Sequence, residues 1–308
     1  MTTNNLVIET ELLTKRFGNI VAVDGLSLEI PRGHVFGLLG PNGSGKTTTM
    51  GMLLGLVRPS AGRFSLFGGS ITHREALTQT GAVVEFPSFY PHLSGRDNLA
   101  YFQEVSGKSD AVELDKLLDK VGLAERGKDR FQTYSLGMKQ RLGLAYVLLG
   151  NPELLILDEP TNGMDPDGMA EVRELIRSLG DGERTVLLSS HLLHEVEQVC
   201  DSVAILSHGR LVVQGRVDDL VHSLAGEKIL LRTTDNAKAI ELISKLDWVT
   251  DVTSKEKSIL VSAPPKRSTE ISEVLSRSAV YIAEMTSGQM SLEEYYFKIT
   301  SGVNGDLT

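Results

Sequence analysis

Two stretches of the chain carry residue types whose spacing suits phosphate and metal chemistry. Gly40-Pro41-Asn42-Gly43-Ser44-Gly45-Lys46-Thr47-Thr48 fits the pattern G-x-x-x-x-G-K-[ST]. Its glycines let successive N–H groups turn inward as an anion nest, and the helix pattern that follows adds its positive end. A triphosphate fits such a nest, with Lys46 as a point charge for the β- and γ-phosphates and the Thr47 hydroxyl as a ligand for Mg²⁺. The second stretch, Leu154-Leu155-Ile156-Leu157-Asp158-Glu159, sets two carboxylates directly behind four aliphatic residues. Asp158 is placed to hold Mg²⁺ through water, and Glu159 to polarise an attacking water. Many strands end in acids, so this second motif gains its weight from the first.

A further anion site is written at residues 134 to 141, Tyr-Ser-Leu-Gly-Met-Lys-Gln-Arg, ahead of an apolar helix pattern. Ser135 is a good N-cap, and its hydroxyl together with the Gly137 N–H can face an anion. Two phosphate-binding helix starts in one chain, with this wording just before the Asp158-Glu159 strand, resemble the ATP-binding cassette (ABC) family. In that family the Ser-x-Gly signature closes over the γ-phosphate held by the opposite subunit.

The resemblance covers about residues 5 to 220 and assigns further residues. Phe17, in Lys-Arg-Phe-Gly, matches the aromatic that stacks on adenine, the alternative being burial in a small sheet. Thr161-Asn162-Gly163-Met164-Asp165-Pro166 looks like the loop that crosses to the other subunit, with Asp165 near the nucleotide. His191, after Val186 to Ser190, matches the switch histidine that contacts the γ-phosphate.

One loop departs from the pattern. Where the family offers a glutamine to Mg²⁺ and the attacking water, the chain reads Val83-Val84-Glu85-Phe86-Pro87-Ser88-Phe89-Tyr90-Pro91. Glu85 can still accept from water or bind Mg²⁺, but it adds negative charge near the γ-phosphate, so its contact should depend more on metal. The surface around this loop is where the family docks a coupling helix, with Phe86, Phe89 and Tyr90 as either contact or packing residues. The glutamate loop, the signature wording and a small C-terminal domain together look like the ATPase subunits of bacterial drug, bacitracin-resistance and lantibiotic-immunity exporters. What this implies is ATP and Mg²⁺ as cofactors and a homodimer or heterodimer with another ABC ATPase subunit. It also implies a separate integral membrane permease.

The elements that must position these residues read as an α/β fold. Leu6 to Leu13, Ile20 to Val23 and Leu26 to Ile30 look like short strands of an antiparallel subdomain, divided by Gly18 and Gly25. Val35 to Leu39, Leu154 to Leu157 and Val186 to Leu188 have the apolar pattern of buried strands, and Val203 to Leu206 with Leu211 to Val213 reads as a hairpin. A mostly helical insertion is expected over about 88–150, within a nucleotide-binding domain over 1–225. Residues 226–308 read as a small ferredoxin-like α+β domain in the order βαββαβ, with a last helix from Ser291 to about Thr300.

Composition narrows the function classes. The chain has 308 residues, with 40 acidic against 31 basic residues and a formal charge of −9, which argues against neutralising a nucleic-acid backbone. Cys200 is the single cysteine, so no internal disulfide can form. The longest apolar run, Leu142 to Gly150, falls short of the roughly 18 to 20 residues that cross a bilayer. The start of the chain lacks a signal-peptide pattern. The expectation is a cytoplasmic protein held peripherally at the membrane through its permease. Two alternatives are a soluble ABC ATPase acting on nucleic acid or the ribosome, and a scaffold that binds ATP without turnover.

Overall fold

The computed structural model describes residues 5–84, 88–107, 110–180, 182, 184–225, 228–255, 258–287 and 296. Two compact units divide the chain, Met1–Arg216 and Val217–Thr308.

The first unit opens with β1 (Leu6–Phe17) and β2 (Ile20–Pro31), an antiparallel pair. The expected three short strands are thus two long ones. Gly25 lies inside β2, where the register slips between the Leu13–Leu26 and Lys15–Val23 pairs, so the glycine marks a bulge instead of a strand end. Next come β3 (Val35–Leu39), α1 (Lys46–Leu53) and β4 (Ala61–Leu66), then α2 (His73–Thr78) and β5 (Thr80–Val83). β4 completes a sheet in the order β2-β1-β4. Its sequence, Ala-Gly-Arg-Phe-Ser-Leu, alternates weakly and becomes a strand by pairing with residues Ile8 to Thr14 of β1.

Three helices follow, α3 (Gly95–Val105), α4 (Ala111–Lys120) and α5 (Leu136–Val147). Each begins at a capping side chain, Ser94, Asp110 and Ser135, whose oxygen accepts an otherwise orphaned first-turn N–H. The α/β alternation then resumes with β6 (Leu154–Leu157), α6 (Pro166–Leu179), β7 (Thr185–Ser190), α7 (Leu193–Val199), β8 (Ser202–Ser207) and β9 (Arg210–Arg216).

The six-stranded sheet runs β5-β6-β7-β3-β8-β9, parallel from β5 to β8 and closed by the antiparallel β8–β9 hairpin. β3, β6 and β7 are buried along their whole length, as parallel strands covered on both faces must be. Phe36, Leu38, Ile156 and Leu187 share one core with Met50 and Leu53 of α1 and with Ile8 and Leu28 of the small sheet. Each such side chain contributes about 1.5–3 kcal/mol of burial. That core holds the loop between β3 and α1 firmly at both ends.

The second unit consists of α8 (Val217–Ala225), β10 (Lys228–Thr233), α9 (Asn236–Ile243), β11 (Asp251–Lys255), β12 (Ser258–Ser262), α10 (Ser268–Arg277) and β13 (Ile282–Ser287). Its sheet order is β11-β12-β10-β13, with every neighbouring pair antiparallel, the ferredoxin-like arrangement. Ile229, Leu231, Ile259 and Val261 form its core with Ile243, Ile271 and Leu275 of the two helices. This unit begins with α8, whereas the boundary expected after residue 225 falls at the end of that helix. The expected helix from Ser291 to Thr300 lies, apart from Tyr296, outside the described residues. Among the described residues, no helix is long and apolar enough to cross a membrane.

Candidate nucleotide site

Parallel register brings the chemistry to one edge of the large sheet. Val83 pairs with Leu157, Leu157 with Leu188, and Leu39 with Ser190, so the strand ends of β5, β6, β7 and β3 stand side by side. The segments beginning at Val84, Asp158, His191 and Gly40 therefore leave the sheet together, at the carboxyl ends where open α/β sheets bind ligands.

The phosphate loop is built for close approach of backbone. At Gly40, φ is 152°, and a side chain there would collide with the Leu206 carbonyl and with Ser44. At Gly45, φ is 102°, and an added Cβ would lie 2.6 Å from the Ala22 carbonyl oxygen. Pro41, Asn42 and Gly43 are exposed on the loop, Ser44 is buried, and Thr47 and Thr48 sit on the first turn of α1. Ser44 Oγ has no hydrogen-bond partner among the described residues, an orphaned donor inside the nest. Lys46 is 5% exposed, and its ammonium donates to the Gly40 carbonyl at 2.7 Å and the Pro41 carbonyl at 3.3 Å. The buried Lys46 ammonium and the unpartnered Ser44 hydroxyl, at the start of α1, are donors that fit a polyphosphate.

The two carboxylates diverge in environment. Asp158 is buried, its Oδ2 accepting from Thr47 Oγ1 at 2.8 Å and its Oδ1 from Ser189 Oγ at 2.5 Å. Glu159 lies nearer solvent and is shared between two partners. Its Oε1 is 3.4 Å from Lys46 Nζ and its Oε2 is 2.8 Å from His191 Nδ1. Its backbone is left-handed, with φ 48°, and its N–H donates to Ser189 Oγ at 2.9 Å. Thr47, Asp158, Glu159, His191 and Lys46, singled out in the sequence from separate segments, thus form one connected cluster.

Ser189 was missed in the sequence. Its hydroxyl bridges the Asp158 carboxylate and the Glu159 backbone, fixing both acids relative to β7. Nothing in Val186-Leu187-Leu188-Ser189-Ser190 distinguishes one serine from the other. Only the pairing of Leu157 with Leu188 shows that Ser189 is the one beside Asp158.

Other expected residues stand apart. Phe17, at the end of β1, is 50% exposed instead of buried in the small sheet, and the Lys15 ammonium lies 4.7 Å over its ring. Ser135 caps α5, accepting from the Met138 N–H at 3.3 Å, with Gly137 in the first turn. No hydrogen bond or ion pair among the described residues joins Ser135 to the phosphate loop. Asp165 is exposed just before Pro166, with its side chain free of any cap bond at the start of α6. Glu85 and Phe86 lie outside the described residues. Phe89 takes the packing role, buried edge-to-face against Phe102, Phe131 and Tyr146, while Tyr90 stays partly exposed beside Tyr101.

A parallel sheet with a phosphate loop after one strand, acids after the next and a histidine after a third defines a P-loop nucleotide-binding protein. The family profile described as ABC transporter matches residues 23–162. The bacitracin transport ATP-binding protein of Enterococcus faecalis is 35% identical over 299 residues, covering 96% of this chain and 97% of that one. The daunorubicin/doxorubicin resistance ATP-binding protein of Streptomyces peucetius is 35% identical over 306 residues, covering 95% and 92%. A solved Clostridium perfringens protein, part of the ABC transporter complex cbiONQ, superposes with a TM-score of 0.63 at 28% identity, over 70% of this chain and 90% of that one. The chain belongs to the ATP-binding proteins of ABC transporters, a family that binds ATP.

Proposed function

We propose that this chain hydrolyses ATP to drive export through a separate membrane permease, and that it works as a dimer, with a second copy or with another ABC ATPase subunit. The observation that carries this reading is the connected cluster of Lys46, Thr47, Asp158, Glu159, Ser189 and His191 at the sheet edge. The names of relatives along nearly the full chain, which concern bacitracin transport and drug resistance, support the transport setting.

In this scheme the loop from Gly40 to Thr48 cradles the phosphates, and Lys46 bridges the β- and γ-groups. Thr47 and Asp158 would hold Mg²⁺, with Glu85 expected from the family resemblance as a further contact, and the metal would supply charge neutralisation. Glu159 takes a proton from the attacking water, and His191 fixes the orientation of that carboxylate and faces the γ-phosphate. Phe17 stacks on the adenine. Ser135, Gly137 and Asp165 would face a nucleotide held by the partner subunit, as the resemblance to the family implies. The chain thereby sits at the cytoplasmic face of the membrane through the permease.

Glu159→Gln tests this directly. The variant should keep ATP, accumulate as a closed dimer on size exclusion, and lose about 10²-fold or more in turnover, the usual scale for a removed general base. Turnover near the wild-type rate would remove Glu159 from its role. Copurification of the chain with a multispan membrane protein separates a transport motor from a soluble ATPase acting on nucleic acid or the ribosome.

A further inference from the structure

Behind the site lies a buried polar link that neither phosphate binding nor metal binding uses. Thr161 Oγ1 donates to Glu195 Oε2 at 2.6 Å, and Arg173 Nη1 stands 3.6 Å from Glu195 Oε1. Thr161 and Glu195 are 6% and 8% exposed. The walls around them combine the apolar Ile176, Leu188, Val196 and Val199 with Arg173 and the serines Ser189 and Ser190. A buried carboxyl group there carries a desolvation cost that a leucine or methionine would avoid, so filling space does not account for it.

The position of the link in the chain gives it a second meaning. Thr161 is two residues beyond Glu159 and opens the segment that runs to Asp165, its carbonyl accepting from the Met164 N–H at 3.3 Å. Glu195 is four residues beyond His191, in the first turn of α7. Arg173 lies on α6, the helix that Asp165 and Pro166 start. A displacement of the His191 turn must therefore either carry Thr161 with it or break a short, charge-assisted hydrogen bond.

We infer that Glu195 and Thr161 are positioning residues that couple the His191 turn to the 161–165 loop, so that a change at the γ-phosphate end of the site is transmitted toward the partner-facing end. This rests on the ATPase reading above. It requires no contact of either residue with nucleotide.

The test uses the full chain as wild type, Thr161→Val and Thr161→Ser. Valine keeps the volume and removes the hydroxyl, whereas serine keeps the hydroxyl. Thr161→Val should lower kcat about tenfold, the scale of a lost hydrogen bond to a charged group. Its affinity for a fluorescent ATP analogue should stay within twofold of wild type, and Thr161→Ser should restore turnover. Amide exchange should quicken in Thr161→Val both over 159–165 and over 191–199. Wild-type kcat in Thr161→Val, or an equal loss in Thr161→Ser, overturns the coupling. If the wild type itself fails to turn ATP over, the ATPase reading falls. Exchange in the nucleotide-free chain then still decides the coupling, since unchanged exchange over 191–199 in Thr161→Val refutes it.

Discussion

The Lys46 ammonium stands 3.4 Å from Glu159 Oε1, so the phosphate-loop cation and the candidate general base are direct partners. The cation is deeply buried and also held by the Gly40 and Pro41 carbonyls, whereas the carboxylate is also held by His191. On the proposed function, a triphosphate would compete for the same ammonium protons, and displacing Glu159 Oε1 from Lys46 would free that oxygen for water. Binding and activation would then be linked through one side chain.

Lys46→Ala should accordingly lose nucleotide affinity by about tenfold or more, because charge-assisted bonds to phosphate are the strong ones. Equilibrium titration with a fluorescent ATP analogue measures this. Binding at the wild-type level would refute the phosphate-loop reading, since no other cation of the described cluster lies inside the nest.

Ser189→Ala removes the hydroxyl that holds Asp158 and the Glu159 N–H together. The expected result is a folded protein that binds ATP within a few-fold of wild type but turns it over about tenfold more slowly, as befits hydrogen bonds to a charged group. Half-maximal activity should need more Mg²⁺. A Mg²⁺ titration of steady-state turnover that superimposes on the wild type would leave Ser189 a bystander.

Phe17→Ala should weaken ATP binding by about threefold to tenfold, the scale of an aromatic stacking contact, while Phe17→Tyr retains it. Inorganic tripolyphosphate provides the control, because it has no base to stack. If Phe17→Ala weakens tripolyphosphate and ATP alike, the ring serves the loop rather than the adenine.

Glu85→Gln addresses the departure in the loop after β5. By the family resemblance the substitution removes a negative charge from the loop expected near the γ-phosphate, so it should shift the dependence of turnover on divalent metal while changing ATP affinity less. Metal titrations of the two proteins that coincide would mean that the glutamate is silent.

Much of the site was legible in the sequence because its signals are local. The run Gly40 to Thr48 encodes its own nest, and the four aliphatic residues before Asp158 encode a buried strand. β3 spans Val35 to Leu39, the run whose apolar pattern reads as a buried strand. What escaped depends on partners distant in the chain. β4 is a strand through its pairing with β1, Gly25 is absorbed as a bulge by the slip against Leu13 and Lys15, and Phe89 is buried by rings from two other helices and a loop. Ser189 and Glu195 belong to the same class. A serine at a strand end and a glutamate in a first helical turn are ordinary residues until register and packing give them neighbours.

The left-handed backbone of Glu159 has one more consequence. Glycine adopts that conformation freely, whereas a glutamate held there costs on the order of 1 kcal/mol or more. Glu159→Gly would relieve that strain, but it would also strip the buried Lys46 ammonium and His191 of their shared carboxylate. The backbone strain is thus held in place by the same side chain that the proposed function needs as a base.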